Sequence, residues 1–301
     1  MIHITPSRIR LLLTASCNAK CFYCHNEGQA AFEKMLVDHL FVKNLLEMVQ
    51  TDCVVISGGE PTLNQEVVNI AREVKKRGIV LKINTNGYNP KIISDIANYT
   101  DQINISIDSV DSDAYKNIKG MPLDNAMQSL LLAREKTKVR INCPLVSIKD
   151  AMNLVKFGEE SKIEIKFFEV LNTDFSKPDL GLESLRSLLI DGGYAAKQGD
   201  TITEQLTKDD YTVYLSRCHC RVAFLLNNIK KAINFCREKT DLVITPSGKL
   251  KPCLYGNKEI DIYDLVMRKD ENSLSEKFNE FDKIFGLGSC QKLTVGDNTQ
   301  V

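Results

Sequence analysis

Six short apolar, β-branched runs, set apart by longer segments of helical periodicity, constrain what this chain can fold into more than any other feature. The runs are Ile9–Thr14, Cys53–Ser57, Val80–Thr85, Ile103–Ile107, Val139–Cys143 and Ile163–Val170. Between them, Leu36–Val49, Val67–Arg77, Ile92–Ala97, Ala126–Lys136 and Ala151–Glu160 place apolar residues three and four apart, the period of one helix face. Strands that alternate with helices pair in parallel through right-handed crossovers, so the pattern predicts an α/β fold. Six such units make a partial (β/α)6 barrel, a smaller relative of the TIM barrel, with its active site expected at the C-terminal ends of the strands.

The rhythm changes after Asn172. Thr173–Asp200 holds Pro178, Gly181, Gly192, Gly193 and Gly199 and reads as a connector around one helix, Leu182–Leu189. Leu265–Phe285 reads as one or two charged surface helices, and Thr294–Val301 as a frayed tail. Two domains are therefore expected, a barrel over 1–172 and a smaller one over 173–301. The second carries five of the ten cysteines. Lys and Arg balance Asp and Glu, 39 against 39, which argues against a general nucleic-acid or membrane-surface binder. With no long apolar segment and no basic-then-apolar leader, the expected location is the cytoplasm, where thiols stay reduced. Ten cysteines there call for metal rather than disulfides.

Cys17, Cys21 and Cys24 follow directly on the first run. Three thiolates on a short loop can hold three irons of a cubane and leave the fourth open to a ligand. A zinc knuckle has similar spacing. Ser57-Gly58-Gly59-Glu60-Pro61 follows the second run, where glycines let backbone approach a ligand and Glu60 offers a carboxylate; an ordinary βα turn would look alike. Thr85-Asn86-Gly87 and Asn104–Asp108, with Ser106, put small polar groups at strand ends, as ligand contacts or as helix caps.

Taken together in this order and context, Cys-x3-Cys-x-aromatic-Cys, Gly-Gly-Glu-Pro and Thr-Asn-Gly resemble the radical S-adenosylmethionine (SAM) superfamily. The resemblance implies a 4Fe–4S cluster on Cys17, Cys21 and Cys24, with SAM chelating the open iron. It implies that Glu60 with Gly58 and Gly59 binds the SAM amino group, that Ser106, Thr85 and Asn86 touch its carboxylate or ribose, and that Tyr23 lies beside the adenine. Reductive cleavage of SAM would then yield a 5′-deoxyadenosyl radical that takes a hydrogen atom from the substrate.

Phe235-Cys236 and Val243–Gly256, with Gly248, Pro252 and Cys253, resemble the GTP 3′,8-cyclase family of molybdenum-cofactor synthesis, and the opening of the SPASM/twitch class of auxiliary-cluster domains. That likeness implies a second 4Fe–4S cluster. Cys236 and Cys253 match two of its three cysteines, and the third falls on Lys239. Replacement ligands could come from Cys218, Cys220 or Cys290; in an extended segment Cys218 and Cys220 would face one way and His219 the other. A four-cysteine zinc site is the alternative. Cys53 and Cys143 read as core residues. Arg10 matches a substrate-binding arginine, and Arg140 and Lys166 stand at basic positions with the Lys and Arg types exchanged, but two nucleotide-serving arginines fall on Asp241 and Val243, another falls on Asn64, and the terminal Gly-Gly is absent. An anion at Asp241 would repel a triphosphate. The expectation is a radical SAM enzyme acting on a small molecule or peptide, served by an external one-electron donor such as flavodoxin or ferredoxin. The alternatives are a GTP 3′,8-cyclase with an altered second cluster, or a non-catalytic iron–sulfur or zinc protein.

Overall fold

The computed structural model describes residues 1–4, 7–29, 34–170, 180–197, 199, 202–226, 228–239, 241–254 and 258–285. The six expected strands are present: β1 (Arg8–Leu12), β2 (Cys53–Ser57), β3 (Val80–Thr85), β4 (Gln102–Ser106), β5 (Lys138–Pro144) and β6 (Ile165–Phe168). They pair in parallel in chain order, with registers such as Arg10 opposite Val55 and Asn84 opposite Asn104 opposite Arg140. Period two then sorts their side chains. Ile9, Leu11, Val54, Ile56, Leu81, Ile83, Ile103, Ile105, Ile141 and Phe167 are buried in the apolar core. The alternate residues, Arg10, Ser57, Lys82, Asn84, Asn104, Ser106, Arg140, Asn142 and Lys166, line a cavity inside the sheet. Most of these inward-facing strand residues are polar, and the interior is open where a layered core would be filled.

The crossover helices are α1 (His39–Met48), α2 (Val67–Lys76), α3 (Pro90–Ala97), α4 (Ser112–Lys119), α5 (Asp124–Arg134) and α6 (Ile148–Ser161). Helix α4 has no counterpart in the apolar periodicity, because only Tyr115 and Lys119 on it are buried. Its signals are at its ends. The Asp111 carboxylate accepts from Ala114 N at 2.9 Å, and Gly120 closes the helix at φ 70°.

The later residues flank both edges of this sheet. After α7 (Leu180–Asp191) come β7 (Ala195–Lys197), β8 (Thr203–Lys208) and β9 (Tyr211–Ser216), and β9 pairs in parallel with β6. After α8 (His219–Leu225) and α9 (Ile229–Lys239) come β10 (Leu242–Ile244), β11 (Lys249–Lys251) and β12 (Ile260–Asp261), and β10 pairs in parallel with β1. The result is one twelve-stranded sheet in the order β12-β11-β10-β1-β2-β3-β4-β5-β6-β9-β8-β7. The expected charged helices are α10 (Tyr263–Arg268) and α11 (Glu271–Phe285). The expected boundary at 172 and the cysteine Cys290 lie outside the described residues. Cys218 and Cys220 are not in an extended segment, since α8 begins at His219. Among the described residues no helix is long and apolar enough to cross a membrane.

Candidate active site

The cysteine loop leaves β1 at its C-terminal end and is held to the turn after β2 by backbone hydrogen bonds. Gly59 N donates to Thr14 O at 2.7 Å and Glu60 N to Ser16 O at 2.8 Å. Close approach explains both glycines. A Cβ on Gly59 would stand 2.1 Å from Ser16 O, and one on Gly58, at φ 131°, would stand 2.6 Å from Thr14 O. The pair thus lets the turn press against the segment that leads into Cys17, while both glycines still line the cavity.

Glu60 turns inward. It is fully buried, and its carboxylate accepts four hydrogen bonds: Thr62 N (3.0 Å), Thr62 Oγ1 (2.6 Å), Thr85 Oγ1 (2.7 Å) and Asn86 N (2.7 Å). The carboxylate therefore ties the end of β2 to the end of β3. Asn86, fixed by this tie, donates from Nδ2 to Asn18 Oδ1 at 2.7 Å and toward Cys17 Sγ at 3.8 Å. The Thr-Asn-Gly and Gly-Gly-Glu-Pro segments are in this way one scaffold behind the cysteine loop.

Cys17, Cys21 and Cys24 all reach a cavity of about 1190 Å³ that Arg10, Ser106 and Lys166 also line. Backbone N–H groups point at two of the sulfurs, Ala19 N at Cys17 (3.4 Å) and Asn26 N at Cys24 (3.3 Å). Burial pushes the Cys17 and Cys21 thiols above their ordinary pKa, an effect that bound iron would reverse. Among the described residues no three His, Cys, Asp or Glu side chains are gathered tightly enough to share a single metal ion. A cubane takes one thiolate per iron, so three soft thiolates with N–H donors around one cavity fit it without converging on a point.

The four later cysteines within the described residues reach the same cavity. Cys218 stands between β9 and α8, Cys220 in the first turn of α8, Cys236 on α9, and Cys253 beyond β11. All four are partly exposed, and they come from three parts of the chain. The Glu169 carboxylate accepts from Cys218 N at 2.9 Å and fixes that end of the set. His219 does not point away as the extended reading required. It lines the cavity, and burial lowers its pKa. Cys143 is buried in the helix-side core as expected, whereas Cys53 is buried yet borders the cavity floor.

Three arginines of the cavity are held by carboxylates of the chain. Arg10 donates to Asp241 Oδ2 from Nε (3.0 Å) and Nη2 (2.8 Å), and from Nη1 toward Glu27 at 3.4 Å. Arg8 also pairs with Asp241, at 2.9 Å. Arg140 donates to Glu164 at 2.8 Å and stacks on the Tyr214 ring, its carbon 4.2 Å from the centroid. Lys166 sits over the Phe168 ring at 4.9 Å.

Three functional features were not readable beforehand. Glu27, at φ 52°, accepts from Ser57 Oγ at 2.7 Å as well as from Arg10. Gly28 meets the far side of the site: its Cβ would fall 1.8 Å from Leu254 O, and Lys251 Nζ donates to Gly28 O at 3.0 Å. Tyr23 donates to Asp108 (2.9 Å), which pairs with the buried Lys119 at 3.0 Å, and Lys119 donates to Ser106 Oγ at 2.6 Å. Of this last group the sequence marked Tyr23, Ser106 and the Asn104–Asp108 segment, but gave no signal for Lys119, which lies on a helix with almost no apolar face.

Residues 11–156 match the family model of the radical SAM superfamily. The chain is similar to a GTP 3′,8-cyclase of Haemophilus influenzae, 26% identical over 96% of this chain and 89% of the relative. It is also similar to a probable GTP 3′,8-cyclase of Saccharolobus solfataricus, 28% identical over 89% of this chain and 90% of the relative. In fold it matches Streptococcus suis SuiB bound to precursor peptide SuiA, with TM-score 0.67 and 17% identity over 97% of this chain and 71% of SuiB. It also matches anSMEcpe with bound AdoMet and Kp18Cys peptide, with TM-score 0.59 and 16% identity over 95% and 90% of the two chains. Residues 11–156 of the chain are thus a radical SAM domain, the chain is an enzyme of that class with a 4Fe–4S cluster and SAM as its cofactors, and its relatives include proteins named GTP 3′,8-cyclase.

Proposed function

We propose that this radical SAM enzyme acts on a polar substrate without a polyphosphate, a small molecule or a peptide segment held in the barrel interior. The observation that carries this reading is the neutralisation of Arg10 by Asp241 and Glu27, repeated at Arg140 by Glu164. A triphosphate would have to displace those carboxylates or sit beside them, and either is costly in a confined site. What the interior offers instead is a row of amides. Gln102 Nε2 donates to Asn104 Oδ1 at 2.7 Å, and Asn104 Nδ2 to Asn84 Oδ1 at 2.8 Å, with Asn142 nearby on β5. Such groups suit a hydrogen-bonding, weakly charged substrate.

In this reading Cys17, Cys21 and Cys24 hold the SAM-binding cluster. Gly58, Gly59, Thr85, Asn86, Ser106 and Tyr23 surround SAM, and Glu60 sets their positions through its four hydrogen bonds. Cys236 and Cys253, completed from Cys218 and Cys220, hold the second cluster. Residues 1–172 supply the SAM chemistry and 173–301 the substrate side, and an external donor such as flavodoxin or ferredoxin delivers one electron. The chemistry these groups supply when bound is reductive cleavage of the SAM sulfonium, which leaves a 5′-deoxyadenosyl radical able to take a hydrogen atom from substrate. The residues around it orient SAM and substrate and keep water out.

A second reading, a GTP 3′,8-cyclase with an altered second cluster, is favoured by the names of the relatives. One experiment separates the two. Reduced enzyme given SAM and GTP is expected to form 5′-deoxyadenosine without a cyclised purine and to bind GTP weakly by calorimetry. Cyclised purine would establish the second reading.

A further inference from the structure

Arg8 and Arg10 hold Asp241, Arg140 holds Glu164, Lys119 holds Asp108 and Arg217 holds Glu183, so these cations of the cavity already have a countercharge. Lys82 is different. It lines the same cavity, partly buried, yet makes no ion pair and no side-chain hydrogen bond among the described residues. Its place follows from β3, where Leu81 and Ile83 enter the core and period two turns Lys82 and Asn84 inward. In register Lys82 stands between Val55 on β2 and Gln102 on β4, and Asn84 stands beside Asn104.

The neighbouring amides supply a donor. Gln102, Asn104 and Asn84 form a relay of two hydrogen bonds, 2.7 and 2.8 Å long. Two bonds among three amides leave one end with a free NH2 group and the other with a free C=O. Here the free NH2 belongs to Asn84, two residues from Lys82 on the same strand face, about 7 Å apart at Cα. With the relay turned the other way it would belong to Gln102, directly opposite Lys82. Either sense sets an ammonium beside an NH2 donor.

We propose that Lys82 and this end of the amide relay anchor a single carboxylate of the substrate. The inference rests on the reading that the substrate lies in the barrel interior and carries no polyphosphate. A carboxylate offers two coplanar acceptor oxygens and one negative charge. The ammonium matches that charge, and the NH2 group takes the second oxygen. A phosphate would bring further charge, and Arg140, opposite Asn104, is already held by Glu164. The anchor is also separate from the groups assigned to SAM. Lys82 precedes Thr85 by three residues, roughly 10 Å along the strand from the end that carries Thr85 and Asn86. A substrate tied there by its carboxylate extends its remaining atoms toward SAM.

The test compares acids with their amides. The probes are N-acetyl derivatives of the common amino acids, with a backbone carboxylate, and N-acetyl aspartate and glutamate α-amides, with a side-chain carboxylate only. Each is paired with the compound in which that carboxylate is amidated. Binding to reconstituted full-length enzyme with SAM is followed by ligand-observed NMR for wild type, Lys82→Met and Lys82→Arg, with iron content and thermal unfolding as checks on folding. Acids from one of the two sets are expected to bind wild type about tenfold more tightly than their amides. That advantage is expected to vanish in Lys82→Met and to persist in Lys82→Arg, and the set that shows it tells a backbone carboxylate from a side-chain one. Equal binding of acids and amides by the wild type, or none by either, overturns the proposal, and this arm decides even where Lys82→Met fails to fold. So does an acid preference that survives in folded Lys82→Met. Inorganic phosphate that displaces the acids at equal concentration overturns it in favour of a phosphate subsite. Weakened SAM binding in Lys82→Met overturns it in favour of contact with SAM. Failure of the underlying reading looks different: a cyclised purine forms from SAM and GTP, however the acids bind.

Discussion

The two sets of cysteines are built on opposite principles. Cys17, Cys21 and Cys24 come from one loop at the end of one strand, and its neighbours along the sheet, the ends of β2 and β3, brace it through Glu60 and Asn86. Cys218, Cys220, Cys236 and Cys253 come from the start of α8, from α9 and from the segment after β11, brought to the same cavity because β9 and β10 attach to opposite edges of the barrel sheet. A local site needs correct turns. A distributed set needs the whole sheet, so its cysteines are separated by long stretches of sequence whose closure is settled only in the folded chain.

The sharpest way to break this contrast is to remove the local set. Replacing Cys17, Cys21 and Cys24 by Ala is expected to abolish 5′-deoxyadenosine formation and to lower iron from about eight to about four per chain, measured by iron and sulfide analysis. Content that stays near eight would mean that the loop holds no cluster. Next in size, Cys236→Ala and Cys253→Ala are each expected to leave about four irons per chain and to keep SAM cleavage, while product formation stops. Loss of all iron from either variant would show that the two sets depend on each other.

A smaller effect probes the contact between them. Gly28 has φ 68° and touches Leu254 O, so Ala there must shift the Cys253 segment. Gly28→Ala is expected to cost about 1–3 kcal/mol in thermal unfolding, by the usual scale of backbone strain. The paramagnetic signal of the second cluster should change, while that of the SAM-sensitive cluster stays as in the wild type. The opposite pattern would place the Gly28 contact on the SAM side.

Much of the barrel was legible because period two and period 3.6 report burial directly. Cys53–Ser57 and Val80–Thr85 were delimited as strands to the residue. The cysteine loop and its two companion motifs were legible because each is contiguous and follows a strand. Helix α4 was not, since its caps carry its signal and its buried face consists of Tyr115 and Lys119. The geometry of Cys218–Cys220 was misread as extended because two cysteines flanking a histidine carry no periodicity of their own. Glu60 looked like a ligand-facing carboxylate, and nothing along the chain announces that Thr62, Thr85 and Asn86 would occupy it.

By itself the sequence determined the parallel α/β barrel, the end of it that carries chemistry, and the class of that chemistry, because strand order and contiguous motifs are local properties. Only the tertiary structure decided the electrostatics inside. Arg10 and Asp241 are 231 positions apart, and whether an arginine awaits an anion or already holds one depends on which strand closes beside it. The same holds for Lys119, whose buried ammonium meets Asp108 because α4 ends against the backbone of Lys20 in the cysteine loop. Charges act through space, and only the fold sets those distances.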